Sequence, residues 1–121
     1  MKIEFAFSTC PNDTFMFDAM INNKVDTEGI KFTPIYADIA QLNQWSLDIK
    51  YDLTKISYNA FTFCTANYSL LDSGSALGYN CGPILIKKPE TILNKNSKIG
   101  IPGIYTTANM LMNIAFPEYN N

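Results

Sequence analysis

The sequence predicts an α/β fold in which the strands of a mainly parallel sheet alternate with helices. Apolar residues alternate with other residues, as in strands, over residues 3–7, 30–37 and 53–57, and residues at helical spacing follow each stretch. Polar side chains occupy each junction between a strand and the next helix. Since the carboxyl ends of parallel strands meet at one edge of a sheet, these junctions are predicted to lie together, where ligands bind in such folds.

The first junction, residues 7–15 with the sequence FSTCPNDTF, is the most informative stretch of the chain. Asp13 or Thr14 is predicted to cap the helix that follows, by accepting hydrogen bonds from its free backbone N–H groups. The predicted apolar stripe of this helix contains Phe15, Ala19 and Met20, widened by Met16 and Phe17. Such a junction suits an anionic or polar small molecule, but an ordinary turn between strand and helix explains the same residues equally well.

The second junction follows a strand over residues 30–37, in which Pro34 indicates an edge or bulged position. Asp38 is predicted to cap the next helix. Its predicted buried stripe consists of Ile39, Leu42, Trp45 and Ile49. Asn43 and Gln44 lie off that stripe, near the polar side of the helix. Solvent exposure is the ordinary interpretation of both residues, and it is favoured for Gln44.

The third junction places Lys55 and Ser57 at the end of a short strand over residues 53–57. Ser57 is predicted to cap a helix over residues 58–65. The two side chains either line the same cleft as the first junction, or Lys55 is a solvated charge and Ser57 only a cap. The sequence pattern leaves both interpretations open.

In the second half of the chain, the sequence pattern predicts further strands over residues 68–71, 84–87 and 98–101. The glycine-rich loop between the first two lacks the residues of a phosphate-binding P-loop and of a dinucleotide fingerprint. Thr106 or Thr107 is predicted to cap a final helix, where hydroxyl and N–H groups suit a carboxylate or hydroxyl ligand. The predicted apolar stripe of that helix consists of Ala108, Leu111, Met112 and Ala115.

The chain is predicted to divide into a first α/β lobe, residues 1–95, and the beginning of a second lobe, residues 96–121. Residues 98–116 provide one strand and one helix, too little to bury their own apolar faces. We therefore expect the natural protein to continue beyond this sequence.

The composition of the chain argues against several kinds of partner and several kinds of catalytic site. The net charge of −2 over 121 residues argues against nucleic acid, and the scattered lysines and short apolar runs argue against a membrane. The chain enters its first strand without a leader, which predicts a cytoplasmic location. Three separated cysteines and no histidine do not make a zinc site, and Cys10 has no histidine to activate it as a nucleophile. The sequence thus favours a chain that binds a ligand over one that contains every group needed for catalysis.

Four segments, in order along the chain, resemble the 1,4-dihydroxy-6-naphthoate synthase family of the futalosine route to menaquinone. They are residues 8–15, 53–58, 74–78 with 82–83, and 102–103 with 106–108. The resemblance implies a type II periplasmic-binding-protein-like fold, of which this chain supplies the first lobe plus the start of the second. It also implies a lyase that converts cyclic dehypoxanthine futalosine to 1,4-dihydroxy-6-naphthoate, a small-molecule substrate, and no metal or organic cofactor.

The resemblance carries substrate-binding roles to some positions of this chain. They are Lys55, Ile56, Ser57, Thr106 and Thr107, to which the first junction adds Asn12 and Asp13. The general base of the family is a histidine, which this chain lacks, so no catalytic residue is assigned and the histidine is expected beyond Asn121. Asp13 is expected to orient the loop or the ligand, since nearby N–H donors favour its charged form.

Three other functions stay open. A solute-binding lobe of the same fold would bind without catalysis, although such proteins are normally exported and carry a leader. The related chorismate dehydratases share the fold but lack the loop that contains Pro11 and Asn12. A stand-alone interaction module is favoured only if the chain is complete.

Overall fold

The structure, a computed structural model, describes residues 1–119. Its strands are β1 (Lys2–Phe7), β2 (Lys31–Tyr36) and β3 (Leu53–Thr54). Its α-helices are α1 (Pro11–Ile21), α2 (Ile39–Leu47), α3 (Tyr58–Phe61) and α4 (Thr107–Ala115), and a 3₁₀ turn follows at Pro117–Tyr119. The strands form one sheet in the order β2-β1-β3, with both pairings parallel. The predicted α/β fold with a parallel sheet is confirmed.

Pro34 lies on the edge strand β2, as its residue type predicts. Lys31 N donates to Met1 O at 2.8 Å and Ala37 N donates to Phe7 O at 3.4 Å. Because N–H groups alternate in direction along a strand, the odd-numbered ones of β2 face β1 and the ring nitrogen of Pro34 faces the outer edge. The missing N–H of Pro34 therefore removes no hydrogen bond from the sheet.

Three phenylalanines form the centre of the core. Phe5 and Phe7 of β1 and Phe17 of α1 are buried, and the ring centroids of Phe17 lie 4.6 Å from Phe5 and 5.1 Å from Phe7 in edge-to-face geometry. Such pairs are favourable beyond the area that they bury. The partly buried side chains around them are Met16, Met20, Ile21, Phe32 and Leu53. This core fixes α1 against β1 and so fixes the first junction.

The predicted start of α1 is wrong. The helix begins at Pro11 with Cys10 at the N-cap position, and no side chain caps it. Proline is favoured in the first turn because it has no N–H to leave unpaired. Asp13 is a helical residue whose carboxylate reaches back to Ser8 instead of capping. Phe15, placed on the buried stripe, is 88 % exposed.

The prediction for α2 is confirmed at its cap and wrong for Asn43. Asp38 is the N-cap, and its Oδ1 accepts from Gln41 N at 2.9 Å. Asn43 is buried beside Leu42, whereas Gln44 is exposed as expected. The helix ends at Leu47, so Ile49 lies outside it and is exposed.

Several elements predicted after β3 are shorter or absent in the described residues. After Phe61, backbone bonds such as Cys64 N to Phe61 O run from residue i to i−3, so α3 tightens into turns before reaching residue 65. The predicted strands over residues 68–71, 84–87 and 98–101 are wrong for residues 1–119. A strand forms only by pairing, and Ile84 and Ile86 are both 84 % exposed.

The final helix, α4, begins where the sequence predicts. Thr106 is its N-cap, and the Thr106 hydroxyl oxygen accepts from Asn109 N at 3.2 Å. Across residues 1–119, no helix is long and apolar enough to cross a membrane. The division into lobes at residues 95 and 96 stays a prediction, and its last two residues, 120 and 121, lie outside the described part.

The packing of α1 predicts opposite outcomes for two phenylalanines of one helix. We expect Phe17→Ala to lower the free energy of unfolding by about 3 kcal/mol, because it leaves a cavity between α1 and the sheet. Phe15→Ala, the matched control, is expected to change it by less than about 0.5 kcal/mol, because that ring is exposed. Urea unfolding followed by circular dichroism measures both, and equal losses would contradict the observed orientation of α1.

Candidate functional site

The Asp13 carboxylate joins the first junction to the third. The side chain is only 3 % exposed, and its Oδ1 accepts from Lys55 Nζ at 2.8 Å. Its Oδ2 accepts from the Ser8 hydroxyl at 2.7 Å and from Ser8 N at 3.2 Å. Both carboxylate oxygens are therefore occupied, and the loop after β1 is tied to the residue that follows β3.

These partners keep Asp13 charged. Burial raises the pKa of Asp13, but hydrogen bonds from Lys55 and Ser8 and the attraction of the Lys55 ammonium outweigh it. The net pKa lies below the usual value of an aspartate. Near neutral pH Asp13 is thus ionised and a weak base.

Asn43 holds Ser57 in place. Its side chain, 1 % exposed, accepts from Ser57 N through Oδ1 at 2.9 Å and donates from Nδ2 to Ser57 Oγ at 3.0 Å. Ser57 occupies the N-cap position of α3, but its hydroxyl makes no cap hydrogen bond. Sequence reasoning missed Asn43, and the available signal was Ser46, a small residue at helical spacing that shares its buried face.

The two threonines at the start of α4 have different roles. The Thr106 hydroxyl donates to Gly103 O at 2.7 Å and also caps the helix, so it is fully used within its own segment. The Thr107 hydroxyl oxygen accepts from Asn59 N at 3.2 Å, and Asn59 Nδ2 donates to Tyr105 O at 3.2 Å. Thr107 therefore joins α4 to the first turn of α3, the helix that begins directly after Ser57.

An open depression of about 530 Å³ lies beside the Asp13–Lys55 pair. Its lining residues are Ser8, Thr9, Cys10, Asn12, Asp13, Ala37, Asp38, Ile39, Lys55 and Ala76. The predicted site residues Asn12, Asp13 and Lys55 thus share one concave surface, which Ala76 of the glycine-rich loop also reaches. The other predicted residues, Ile56, Ser57, Thr106 and Thr107, are not among its lining. Ile56 and Ser57 follow the lining residue Lys55 directly in the chain, and Thr107 contacts Asn59 of α3.

In the described part of the chain, the acidic and cysteine side chains are not grouped as metal ligands. Within residues 1–119, no group of three or more acidic or cysteine side chains is arranged to hold a metal ion. Cys10 and Cys81 are exposed free thiols and Cys64 is a buried one. The site therefore offers hydrogen-bond donors, the ammonium group of Lys55 and the carboxylates of Asp13 and Asp38.

The Asp13–Lys55 pair predicts how stability depends on pH. A carboxyl group with a lowered pKa in the folded state contributes stability above its unfolded pKa of about 4 and loses it as the pH falls through the folded pKa. We expect Asp13→Asn to destabilise the protein by about 2 kcal/mol at pH 7, because Lys55 loses its charged partner. The difference from the unsubstituted protein should shrink below about pH 4, where the Asp13 carboxylate takes up a proton in the unfolded chain before it does so in the folded one.

The matched control is Asp18→Asn, which removes a carboxylate that pairs with Lys24 at the exposed surface. Chemical unfolding between pH 3 and pH 7 measures all three proteins, and Asp18→Asn should change little because solvent screens exposed pairs. A cost for Asp13→Asn that does not vary with pH would show that the charge of Asp13 does not stabilise the fold.

Comparisons with known proteins agree with the resemblance seen in the sequence. The model of a family described as menaquinone biosynthesis matches residues 3–121. A 1,4-dihydroxy-6-naphthoate synthase of Thermus thermophilus is 34% identical over 112 residues, which cover 93% of this chain and 41% of that protein. The synthase of the same name from Streptomyces coelicolor is 30% identical over 113 residues, 93% of this chain and 39% of that protein.

A crystal structure of a protein from Archaeoglobus fulgidus superposes with a TM-score of 0.77 at 33% sequence identity, over 94% of this chain and 42% of that one. The chain spans about two fifths of the length of the curated relatives it matches. Because the family model covers all but the first two residues, this chain belongs to the menaquinone biosynthesis family.

Proposed function

We propose that this chain is the N-terminal, substrate-binding part of a lyase that converts cyclic dehypoxanthine futalosine to 1,4-dihydroxy-6-naphthoate. Relatives named for the synthesis of that product align with 93% of the chain. The observation that carries the proposal is the Asp13–Lys55 pair at 2.8 Å, which brings the first and third junctions to one edge of the sheet. The fold would be that of a type II periplasmic binding protein, with residues 1–95 as the first lobe, and the parallel order β2-β1-β3 supports this.

The ligand would be held by the segment from Lys55 to Ser57 and by Thr107. The Lys55 ammonium is engaged by Asp13, so this pair carries little net charge and Lys55 fixes the backbone of its own segment. Thr107 is the better ligand-binding threonine, because the Thr106 hydroxyl is used within the helix cap. Hydroxyl and N–H groups at this edge suit the hydroxyl and carboxylate oxygens of the proposed substrate.

The general base of the proposed reaction would come from outside these 121 residues. Carbon–carbon cleavage in this substrate requires removal of a proton from a hydroxyl or an adjacent carbon, and so a base poised near the operating pH. The chain has no histidine, and its buried carboxylate at the site, Asp13, has a lowered pKa. No metal or organic cofactor is needed for this scheme, in which these residues bind and orient the substrate.

A second candidate, a solute-binding lobe without catalysis, is favoured by the same lack of a base in the site. It differs from the enzyme in its ligand. A solute-binding lobe would have no preference for cyclic dehypoxanthine futalosine or 1,4-dihydroxy-6-naphthoate over other small anions.

Binding of 1,4-dihydroxy-6-naphthoate tests the ligand. We expect a titration of the isotope-labelled chain, followed by NMR, to shift the amide signals of residues 55–57 and 107. Thr107→Ala should weaken the affinity by about threefold to tenfold, because one hydrogen-bond partner is lost. Thr106→Ala, the matched control, should mainly lower stability, by about 1 kcal/mol, through loss of the cap. Signals that move equally with acetate, or do not move, would contradict the proposed ligand.

A turnover assay tests the location of the base. The 121-residue chain, purified free of any longer homologue, is expected to form no 1,4-dihydroxy-6-naphthoate from cyclic dehypoxanthine futalosine above the uncatalysed rate. Product formed at an enzymatic rate would instead show that the base lies within these 121 residues.

A further inference from the structure

Asn43 determines which way the Ser57 hydroxyl can donate. The backbone N–H of Ser57 can only donate a hydrogen bond, so the atom of Asn43 that it meets at 2.9 Å must be the carbonyl oxygen Oδ1. The amide nitrogen Nδ2 then faces Ser57 Oγ at 3.0 Å. Since Nδ2 can only donate, Ser57 Oγ accepts from it.

The hydroxyl hydrogen of Ser57 is consequently free for another partner. A serine hydroxyl has one hydrogen to donate, and the contact with Asn43 does not use it. Within residues 1–119 the protein provides no acceptor for that hydrogen, and Ser57 makes no side-chain cap bond to α3. A half-buried donor fixed at its oxygen and left without an acceptor is arranged to meet one from outside the chain.

The segment that carries this donor is held at both ends. Lys55 is bound by Asp13 of α1 and Ser57 by Asn43 of α2, and Asp13 and Asn43 are 2 % and 1 % exposed. A donor that is already fixed loses little conformational freedom when a ligand binds.

We propose that Asn43 is a positioning residue that fixes the polarity of Ser57, by which we mean the direction of its hydrogen bonds. The Ser57 hydroxyl accepts from Asn43 and donates to an oxygen acceptor of the ligand. The site would thereby select a carboxylate or carbonyl oxygen at this position over a group that can only donate. The inference deepens the proposed function and rests on it for the identity of the ligand, but the orientation of Asn43 does not depend on that identity.

Asn43→Asp tests the polarity with little change of shape. The new carboxylate still accepts from Ser57 N, but it accepts from the Ser57 hydroxyl as well, which turns the hydrogen inward. We expect Asn43→Asp to weaken the binding of 1,4-dihydroxy-6-naphthoate about tenfold, as Ser57→Ala does. Gln44→Glu, the same amide-to-carboxylate change at the exposed neighbouring residue, should leave the affinity unchanged.

A double substitution separates polarity from charge. If Asn43 acts through Ser57, then Asn43→Asp has no further effect in the Ser57→Ala background. A further loss in the double variant would show that the added carboxylate simply repels the ligand, which would overturn the proposal. Asn43→Asp with unchanged affinity and an unchanged circular dichroism spectrum would overturn it too, while leaving the proposed function intact.

A second measurement needs no ligand. The side-chain amide protons of Asn43 should exchange slowly with solvent in the unsubstituted protein, and faster in Ser57→Ala, because Nδ2 donates to Ser57 Oγ. Fast exchange in the unsubstituted protein would overturn the proposed polarity. If the unsubstituted protein fails to bind the naphthoate but shows slow exchange, the proposed function is wrong and the orientation of Asn43 stands.

Discussion

A carboxylate buried in a small domain requires charged or hydrogen-bonding partners, and Asp13 finds all of its partners at two junctions of the sheet. The bonds from Ser8 come from the loop between β1 and α1, and the bond from Lys55 comes from the end of β3. Without them the cost of burying the charge would be several kcal/mol. The conformation of the loop after β1 and that of the Lys55 segment therefore depend on each other, and the shape of the adjoining depression depends on both.

Local patterns predicted the elements whose causes are local. Alternation gave β1 and β2, the residue before α2 gave its Asp38 cap, and Thr106 gave the cap of α4. Each depends on residues within a turn or two of chain. The helix start at Pro11 was missed because Asp13, a good capping residue, has a stronger partner far away in sequence.

Patterns failed where a distant contact decides. Periodicity assigns a polar residue to water, but Asn43 is buried because it meets the backbone of Ser57, 14 residues later. Phe15 is a large apolar residue of the kind found in cores, yet it is exposed. The face of α1 that packs on the sheet contains Phe17 instead. The apolar segment at residues 84–87 has strand-like residues, but without a strand to pair with, its composition alone does not produce one. The contact from Lys55 to Asp13, which spans 42 residues, was predicted only as the convergence of junctions on one edge.

The outward ring of Pro34 also affects how separate molecules meet. An edge strand exposes a row of backbone groups on which a strand from another chain can add, a common route to aggregation. Proline at the outward position removes one donor from the middle of the six-residue strand β2, and its ring keeps another backbone at a distance. The outer edge of β2 is thus a poor partner for a strand from another copy of the chain.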